Sequence, residues 1–297
     1  LKNQKLKVGA RVNTDEYNKA DAKDFVLWKA AKAGELSWDA PFGKGRPGWH
    51  IECSAMSMKY LGETFDIHAG AVDLIFPHHE NEIAQSEGAT GKPFVKYFIE
   101  GEHLLVDGEK MSKSFGNIYT LGDIEAKGFD PLAFRYLVLT AHYRSKLNFT
   151  WKSLEAAQNA LEKLRETVLE IQKEAKKSAV SKTDFNKYYD KFLLHVNDDL
   201  KMPRALALLW DIIKSEKLTT KTKYNLIIDF DKIFGLNLSK IKIEKIPAAV
   251  LKLVKERKKY RQEKNFKKAD EFRKKIEKLG WLVEDAPQGP KIKKIHI

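Results

Sequence analysis

A long amphipathic pattern that begins at Trp151 constrains this chain more than any other feature of its sequence. Apolar residues recur there at steps of three and four: Leu154, Ala157, Leu161, Leu164, Val168 and Ile171. This spacing places them on one face of an α-helix, and Thr150 is suited to cap its first turn. Because the apolar face of such a helix must pack against partners, we expect a helical bundle in the second half of the chain.

Two further periodic segments, over residues 188–213 and 221–234, supply those partners. A polar stretch over 176–183 separates them from the first helix, so the pattern predicts an antiparallel bundle over 151–237. Residues 1–150 lack the helical periodicity of residues 151–237. Short apolar runs such as 97–99 and 104–106 lie there between glycine-rich turns. That alternation predicts a mixed α/β region ahead of the bundle.

The last part of the chain predicts a small separate domain. Its expected elements are a linker or edge strand over 238–246, a helix over 248–264 and a helix over 266–279. Asn265 is suited to cap the last helix, and Gly280 to end it. This region also carries most of the surplus charge, since 251–297 hold 16 basic and 7 acidic side chains out of a chain net charge of +13. The excess indicates a polyanionic partner, or else a solvated helical face.

Composition narrows the class of protein. The 297 residues include one cysteine, Cys53, which excludes an internal disulfide and suits a reducing compartment. Apolar runs are too short to span a bilayer, so we expect a cytoplasmic protein with no membrane partner. Cys53 is then a packed residue, a nucleophile or a metal ligand.

The run KMSKS over residues 110–114 is the first of two chemical constellations. Lys110 and Lys113 follow a glycine-containing turn, with Gly116 behind them. Two ammonium groups on a mobile loop are suited to close over a triphosphate and neutralise the departing pyrophosphate. The alternative is an exposed basic loop.

The second constellation is Cys53, His78 and Glu82. Pro77 is suited to open a helix at His78, and the step of four places the imidazole and the carboxylate of Glu82 on one face. Thiolate, imidazole and carboxylate all bind zinc, but three ligands do not close a tetrahedral set. The alternative is a buried cysteine beside a surface ion pair. His79 is a competing ligand that we expect to face elsewhere on the helix.

Three runs in this order resemble bacterial-type cysteinyl-tRNA synthetases: RPGWHIECSAMS over 46–57, FPHHENEIAQ over 76–85, and KMSKS. The resemblance extends from about residue 25 to residue 289. It implies the second half of a Rossmann-type class I catalytic domain over 1–118, with the end of a connective insertion. A stem-contact region over 119–150, the tRNA-binding bundle and an anticodon-binding domain over 238–297 complete the organisation that it implies.

The resemblance also implies a reaction and its cofactors. Cysteine is activated by ATP, accompanied by Mg²⁺, to cysteinyl-adenylate and is then passed to the 3′ end of tRNA(Cys). One zinc ion, held by two cysteines, a histidine and a glutamate, binds the substrate thiolate. Cys53, His78 and Glu82 match three of those ligands, and Trp49 and His68 surround the amino-acid side chain. A thiolate is a better zinc ligand than an alcohol, so serine would be rejected.

Further roles follow from the same resemblance. Lys110 and Lys113 would assist activation, with Lys113 and Asp73 contacting ATP. Gly70 would allow the nucleotide to approach the backbone, although the three glycines usual in the family are Ala, Gly and Ala over 69–71 here. Another group of three residues would read the GCA anticodon: Arg261, Asp270 and Asp285. The alternative for these three is a set of salt bridges on the helix surface.

Two family features are missing from the sequence: a His-x-Gly-His motif and the second zinc cysteine. We therefore expect the N-terminal segment of the catalytic domain, with the fourth zinc ligand, to lie outside this chain. The chain alone should then be inactive and hold zinc weakly. Two alternatives stay open. One is a ligase that joins cysteine to an amino sugar, against which the basic C-terminal region argues, and the other is a non-catalytic tRNA-binding fragment.

Overall fold

The computed structural model describes residues 24–241, 247–285 and 290–294. The chain divides into two units, over residues 1–103 and 104–297. Helices dominate, and the strands form small sheets of two or three members. Among the described residues, no helix is both long enough and apolar enough to cross a membrane.

The first unit contains a parallel strand pair with a helical crossover. Its elements are β1 (Trp28–Ala30), β2 (Gly45–Pro47), α1 (Trp49–Leu61), β3 (Phe65–Ala71), α2 (Glu80–Thr90) and β4 (Val95–Gly101). β1 and β2 pair antiparallel, whereas β3 and β4 pair parallel with His68 opposite Phe98 and Gly70 opposite Glu100. Parallel pairing requires a crossover, which α2 provides. The short apolar run over 97–99 lies within the strand β4.

Helices α1 and α2 pack against each other. The buried Ser54 on α1 donates a hydrogen bond to Gln85 Oε1 on α2 at 2.8 Å. Because a buried hydroxyl needs a partner, this contact fixes how the two helices meet. The chemistry-bearing residues of the first unit lie along this helix pair and on β3.

The second unit opens with a three-stranded sheet. Its elements are β5 (Leu104–Val106), β6 (Glu109–Lys110), α3 (Leu121–Ala126), α4 (Pro131–Leu139) and β7 (Leu147–Phe149). β5 is central, antiparallel to β6 and parallel to β7. Asp130 caps α4 by accepting from the Leu132 amide at 2.8 Å, and Pro131 takes the first helical position, where its missing N–H is harmless.

The predicted bundle is present. It consists of α5 (Trp151–Ala175), α6 (Lys182–Asn197), α7 (Met202–Lys214) and α8 (Thr220–Phe234). The predicted stripe of α5 is buried, and Thr150 caps the helix in a reciprocal arrangement with Ser153. At the core, the rings of Phe192 and Phe230 stack with centroids 3.8 Å apart. Packing of these apolar faces provides most of the stability of the unit.

The prediction of one continuous segment over 188–213 is wrong. α6 begins earlier, after its cap Ser181, and ends at Asn197, and α7 starts at Met202. Asp199 and Leu200 between them adopt left-handed φ angles of 54° and 50°. Such angles end a helix, and Pro203 then enters the first turn of α7 without breaking a hydrogen bond.

The C-terminal part forms a helical hairpin followed by a strand pair. Its elements are α9 (Ala248–Gln262), α10 (Phe266–Lys278), β8 (Trp281–Glu284) and β9 (Lys291–Lys294). Asn265 caps α10, and Gly280 follows it with a φ of 79°, as predicted. The strands are antiparallel.

Three regions with predictions attached fall partly outside the described residues. Of the predicted linker or edge strand, residues 238–241 form a turn, and 242–246 are not described. The expected end of the connective insertion falls on residues 1–23, also outside the described part, and so do residues 286–289 at the end of the family resemblance.

Candidate active site and nucleic-acid interface

Cys53, His78 and Glu82 converge within the first unit. Cys53 projects from α1, His78 from a helical turn over Ile75–His79, and Glu82 from the first turn of α2. Their ligand atoms all lie within 4.8 Å of one another, and His78 Nε2 is 3.7 Å from Glu82 Oε1. Ligands of one tetrahedral zinc ion lie roughly 3.3 to 3.8 Å apart, since each bond is about 2.0 to 2.3 Å long, and the distance between His78 and Glu82 falls in that range.

The helix expected to open at His78 begins instead at Glu80. His78 lies in the preceding wide turn, in which the His79 amide donates to the Leu74 carbonyl at 2.9 Å, and Phe76 is extended. This turn runs directly into α2. The side chains of His78 and Glu82 consequently still meet, as the step of four predicted.

Glu82 is fully buried and only half satisfied. Its Oε2 accepts a hydrogen bond from His68 Nε2 at 2.9 Å, whereas Oε1 has no hydrogen-bond partner among the described residues. A buried carboxylate oxygen without a partner is costly. A divalent cation between Oε1, the His78 ring and the Cys53 sulfur would compensate that cost, so the donor set fits zinc.

The pKa values of the other two groups are shifted in opposite directions. Burial raises the pKa of the Cys53 thiol, and the charges of Glu82 and Glu52 raise it further. Burial lowers the pKa of His78, although Glu82 opposes this shift. The imidazole is therefore a neutral ligand, and the thiol would release its proton when a metal binds.

The prediction that His79 faces away from Glu82 is wrong. With His68 and Glu82 it forms a second group whose ligand atoms lie within 4.8 Å of one another. Its Nδ1 is 2.7 Å from Glu100 Oε1 on β4. The prediction assumed a regular α-helix from His78 onward. His79 lies instead in the wide turn over Ile75–His79, where that spacing does not apply.

Trp49 and His68 both lie beside the cluster. Trp49 is 68% exposed, and its ring centroid is 5.4 Å from that of His78. His68 contacts Glu82, with its ring edge-on to Phe98 and to His79. His50 was missed as a functional residue, and its Nδ1 is 2.7 Å from His78 Nδ1. Its only signal in the sequence was its position directly after Trp49.

The nucleotide residues flank β3. Asp73 is exposed in the turn that follows this strand. Gly70 has a steric role that the sequence did not indicate, because a Cβ there would lie 2.5 Å from His79 Cε1. The absence of a side chain at Gly70 gives the His79 ring its place against the strand.

The lysine loop belongs to the second unit. Lys110 ends β6 and Lys113 begins a short helical turn over Lys113–Phe115, both exposed and without an ion-pair partner in the described part of the chain. Asn117, which the sequence did not single out, organises the loop. Its Oδ1 accepts from the Ser112 amide at 2.8 Å, and its Nδ2 donates to the Lys110 carbonyl at 3.1 Å.

Two of the three predicted anticodon residues form an ion pair. Arg261 lies 3.2 Å from Asp285, to which Arg257 donates two hydrogen bonds of 2.9 Å each. These bonds from Arg257 hold the pKa of Asp285 below its usual range. Asp270 is exposed on α10. Arg257, which is buried, was missed because its partner is 28 residues away.

Comparison with known proteins extends these observations. Residues 1–159 match the family of tRNA synthetases class I (C) catalytic domain, and residues 244–290 match the cysteinyl-tRNA ligase anticodon binding domain. A cysteine–tRNA ligase of Chlamydia felis is 44% identical over 99% of this chain and 65% of its own length. The corresponding protein of Caldicellulosiruptor saccharolyticus is 42% identical over 98% of this chain and 65% of its own length.

The fold is similar to that of a solved LeuRS structure. An Agrobacterium radiobacter LeuRS in a ternary complex with tRNA and LeuAMS matches 69% of this chain and 33% of its own, with a TM-score of 0.52 at 13% identity. The chain spans about two thirds of the length of the curated relatives, at 65% for the two named above. With a catalytic-domain match over 1–159 and an anticodon-domain match over 244–290, the chain belongs to the class I tRNA synthetases of the cysteinyl type.

Proposed function

We propose that the protein containing this chain is a cysteine–tRNA ligase that activates L-cysteine with ATP and transfers it to tRNA(Cys). The convergence of Cys53, His78 and Glu82 around an unpartnered carboxylate oxygen carries this proposal. It supports a pocket that selects sulfur. Both the high identity to cysteine–tRNA ligases and the anticodon-domain match agree with it. A cytoplasmic location belongs to the same proposal.

The later half of a Rossmann-type catalytic domain, over residues 1–118, belongs to the same proposal. The parallel pair β3 and β4 with its α2 crossover supports this, as does the parallel pairing of β5 with β7. Asp73 follows the carboxyl end of β3, where ligands of open α/β sheets bind. Asp73 and the backbone at Gly70 would then contact the ATP.

Cys53, His78 and Glu82 would hold one zinc ion with a fourth ligand from elsewhere in the protein. When bound, zinc supplies a soft Lewis acid that prefers the thiolate of cysteine to the hydroxyl of serine. The chain's own residues do the remaining work. Trp49 covers His78 from the solvent side, and its exposed ring is suited to pack on the substrate side chain.

In the activation step, the carboxylate of cysteine attacks the α-phosphate of ATP and pyrophosphate leaves. Lys110 and Lys113 would neutralise the charge that accumulates on the pyrophosphate, with Mg²⁺ accompanying the nucleotide. Both ammonium groups are exposed and without ion pairs among the described residues, so they are available for this task. The terminal ribose hydroxyl of tRNA then takes the cysteinyl group from the adenylate.

Isotope exchange between ATP and pyrophosphate tests this proposal. The assay compares cysteine with serine, using the 297-residue chain alone and the chain supplemented with the N-terminal segment of a relative. We expect cysteine-dependent exchange only with the supplement, and we expect Lys113→Ala to lower it by roughly 100-fold or more. Lys152→Ala is a control on the surface of α5. Exchange that is equal for serine and cysteine would refute the sulfur-selective pocket.

A further inference from the structure

His50 and His68 are not among the three predicted zinc ligands, but each contacts one of them. The contacted atom is the one that does not face the other ligands. His50 Nδ1 lies 2.7 Å from His78 Nδ1, and His68 Nε2 lies 2.9 Å from Glu82 Oε2. The atoms that face the cluster are the other ones, His78 Nε2 and Glu82 Oε1, which are 3.7 Å apart. Both ligands are therefore held from behind while their metal-facing atoms stay available.

The contact between His50 and His78 constrains a tautomer. Two imidazole nitrogens at 2.7 Å share one proton, so one is the donor and the other the acceptor. Nε2 of His78 must keep its lone pair to bind a metal, and a neutral His78 then carries its proton on Nδ1. That proton is donated to His50 Nδ1. His50 thus supplies an acceptor for the tautomer of His78 that can bind zinc.

The contact between His68 and Glu82 constrains an orientation. A carboxylate only accepts hydrogen bonds, so Nε2–H of His68 donates to Oε2. With Oε2 occupied, the carboxylate plane is fixed and Oε1 is directed to the side of His78 and Cys53. The full burial of Glu82 makes this the principal restraint on its rotation.

Aromatic packing holds both histidines in place. The ring of His68 lies between 5.5 and 5.9 Å from the rings of Phe65, Phe94 and Phe98. Trp49 stacks on His50 with centroids 5.9 Å apart. Groups restrained in this way before a metal arrives lose little freedom when it binds.

We propose that His50 and His68 are positioning residues of the zinc site, His50 through the tautomer of His78 and His68 through the orientation of Glu82. The inference rests on the proposed function. It gives His68 a role toward Glu82 beside the substrate contact that the family resemblance implies.

Cobalt titration of the 297-residue chain tests the proposal without an activity assay. Co²⁺ bound to Cys53 gives a thiolate charge-transfer absorption, and competition with zinc gives the relative zinc affinity. We expect His50→Phe and His68→Leu each to weaken metal binding by about 10- to 100-fold. His50→Gln keeps an acceptor and His68→Gln keeps a donor, so both should recover most of the loss. His195→Gln, on α6 of the second unit, is the control and should leave the affinity unchanged.

The outcomes separate the two proposals. If neither the parent chain nor the chain supplemented with the N-terminal segment shows a thiolate–cobalt absorption that Cys53→Ser abolishes, the proposed zinc pocket fails. If the parent binds and the apolar variants bind equally well, the positioning roles are refuted. Should the apolar variants not fold, histidine ¹⁵N spectra of the parent decide, with the His78 signal assigned by His78→Gln. A proton on Nδ1 of His78 is expected, and a proton on Nε2 would overturn the role of His50.

Discussion

Two buried carboxylates, one in each unit, show how differently the two regions use polar burial. In the second unit, Asp231 accepts hydrogen bonds from the amides of Leu236 and Leu238 at 2.8 and 2.7 Å. In the first, Glu82 is fully buried with Oε1 unpartnered among the described residues. Asp231 completes the C-terminal end of α8 and stabilises the fold, whereas Glu82 lowers stability unless something binds it.

The residues around the two carboxylates also differ: those around Asp231 are apolar, and those around Glu82 are polar. Asp231 lies at the edge of an apolar core in which Phe230 and Phe234 are fully buried. Glu82 is surrounded by His68, His78 and Cys53. Apolar burial thus surrounds the carboxylate that stabilises the fold, and incompletely satisfied polar burial surrounds the carboxylate of the proposed metal site.

The largest effect should come from the apolar region. Phe230→Ala removes a ring stacked on Phe192 and should lower the free energy of unfolding by about 3 to 5 kcal/mol. Denaturant unfolding followed by far-ultraviolet circular dichroism measures it. Ile233→Ala on the same helix is the control, because Ile233 is 39% exposed and should cost far less. Equal costs for both variants would contradict the assignment of the core.

A ligand change should affect binding and leave the bundle intact. Cys53→Ser should weaken zinc affinity by more than about 100-fold, since it removes a thiolate ligand rather than a supporting contact. Cobalt titration of the parent and the variant, with zinc competition, measures this. Ala55→Ser introduces a hydroxyl at an exposed position of α1 and is the matched control. Unchanged affinity in Cys53→Ser would exclude Cys53 as a ligand.

Amide substitution of the two carboxylates tests whether Asp231 and Glu82 differ in their contribution to stability. Asp231→Asn replaces one acceptor oxygen by a donor and should cost about 1 to 3 kcal/mol, because a backbone amide loses its partner. Glu82→Gln in the metal-free chain should cost less than about 0.5 kcal/mol, since Oε1 has no bond to lose. Denaturant unfolding of both variants measures these costs. A larger cost for Glu82→Gln than for Asp231→Asn would contradict the different roles of the two carboxylates.

The smallest effect concerns pH. The pKa of Asp285 is lowered in the fold by hydrogen bonds from Arg257, so its stabilisation is complete above the unfolded value near 3.9 and is lost as pH falls through the lowered value. Asp285→Asn should cost about 0.5 to 1 kcal/mol at neutral pH, because the carboxylate is half exposed. The difference from the parent should shrink below about pH 4.

Asp270→Asn is the control for that experiment. Asp270 is exposed on α10 and lacks an ion pair in the described residues, so thermal unfolding of this variant should follow the parent at every pH. A gap between the parent and Asp285→Asn that persists at low pH would show that charge is not the cause.

Local patterns were sufficient to predict the long helix α5 and the caps of α5 and α10. The stripe of α5, its cap Thr150 and the cap Asn265 all depend on neighbours within one or two turns, and the structure confirms them. The break between α6 and α7 was missed because left-handed angles at Asp199 and Leu200 have no glycine to signal them. Pro203 was the one available clue.

Long-range contacts explain the rest of the misses. His50 and His78 are 28 residues apart, as are Arg257 and Asp285, and neither spacing matches a local repeat. The cluster of Cys53, His78 and Glu82 was predicted from ligand chemistry and a family resemblance, since α1 and the turn that holds His78 meet only in the fold. The steric reason for Gly70 required the position of the His79 ring.

The amide of Asn117 closes the backbone from Lys110 onward into a ring, through bonds to the Lys110 carbonyl and the Ser112 amide. A ring of this kind couples its members mechanically. Any displacement of residues 110–117 would therefore carry the backbone of Lys110 and the backbone of Lys113 together, through one uncharged side chain.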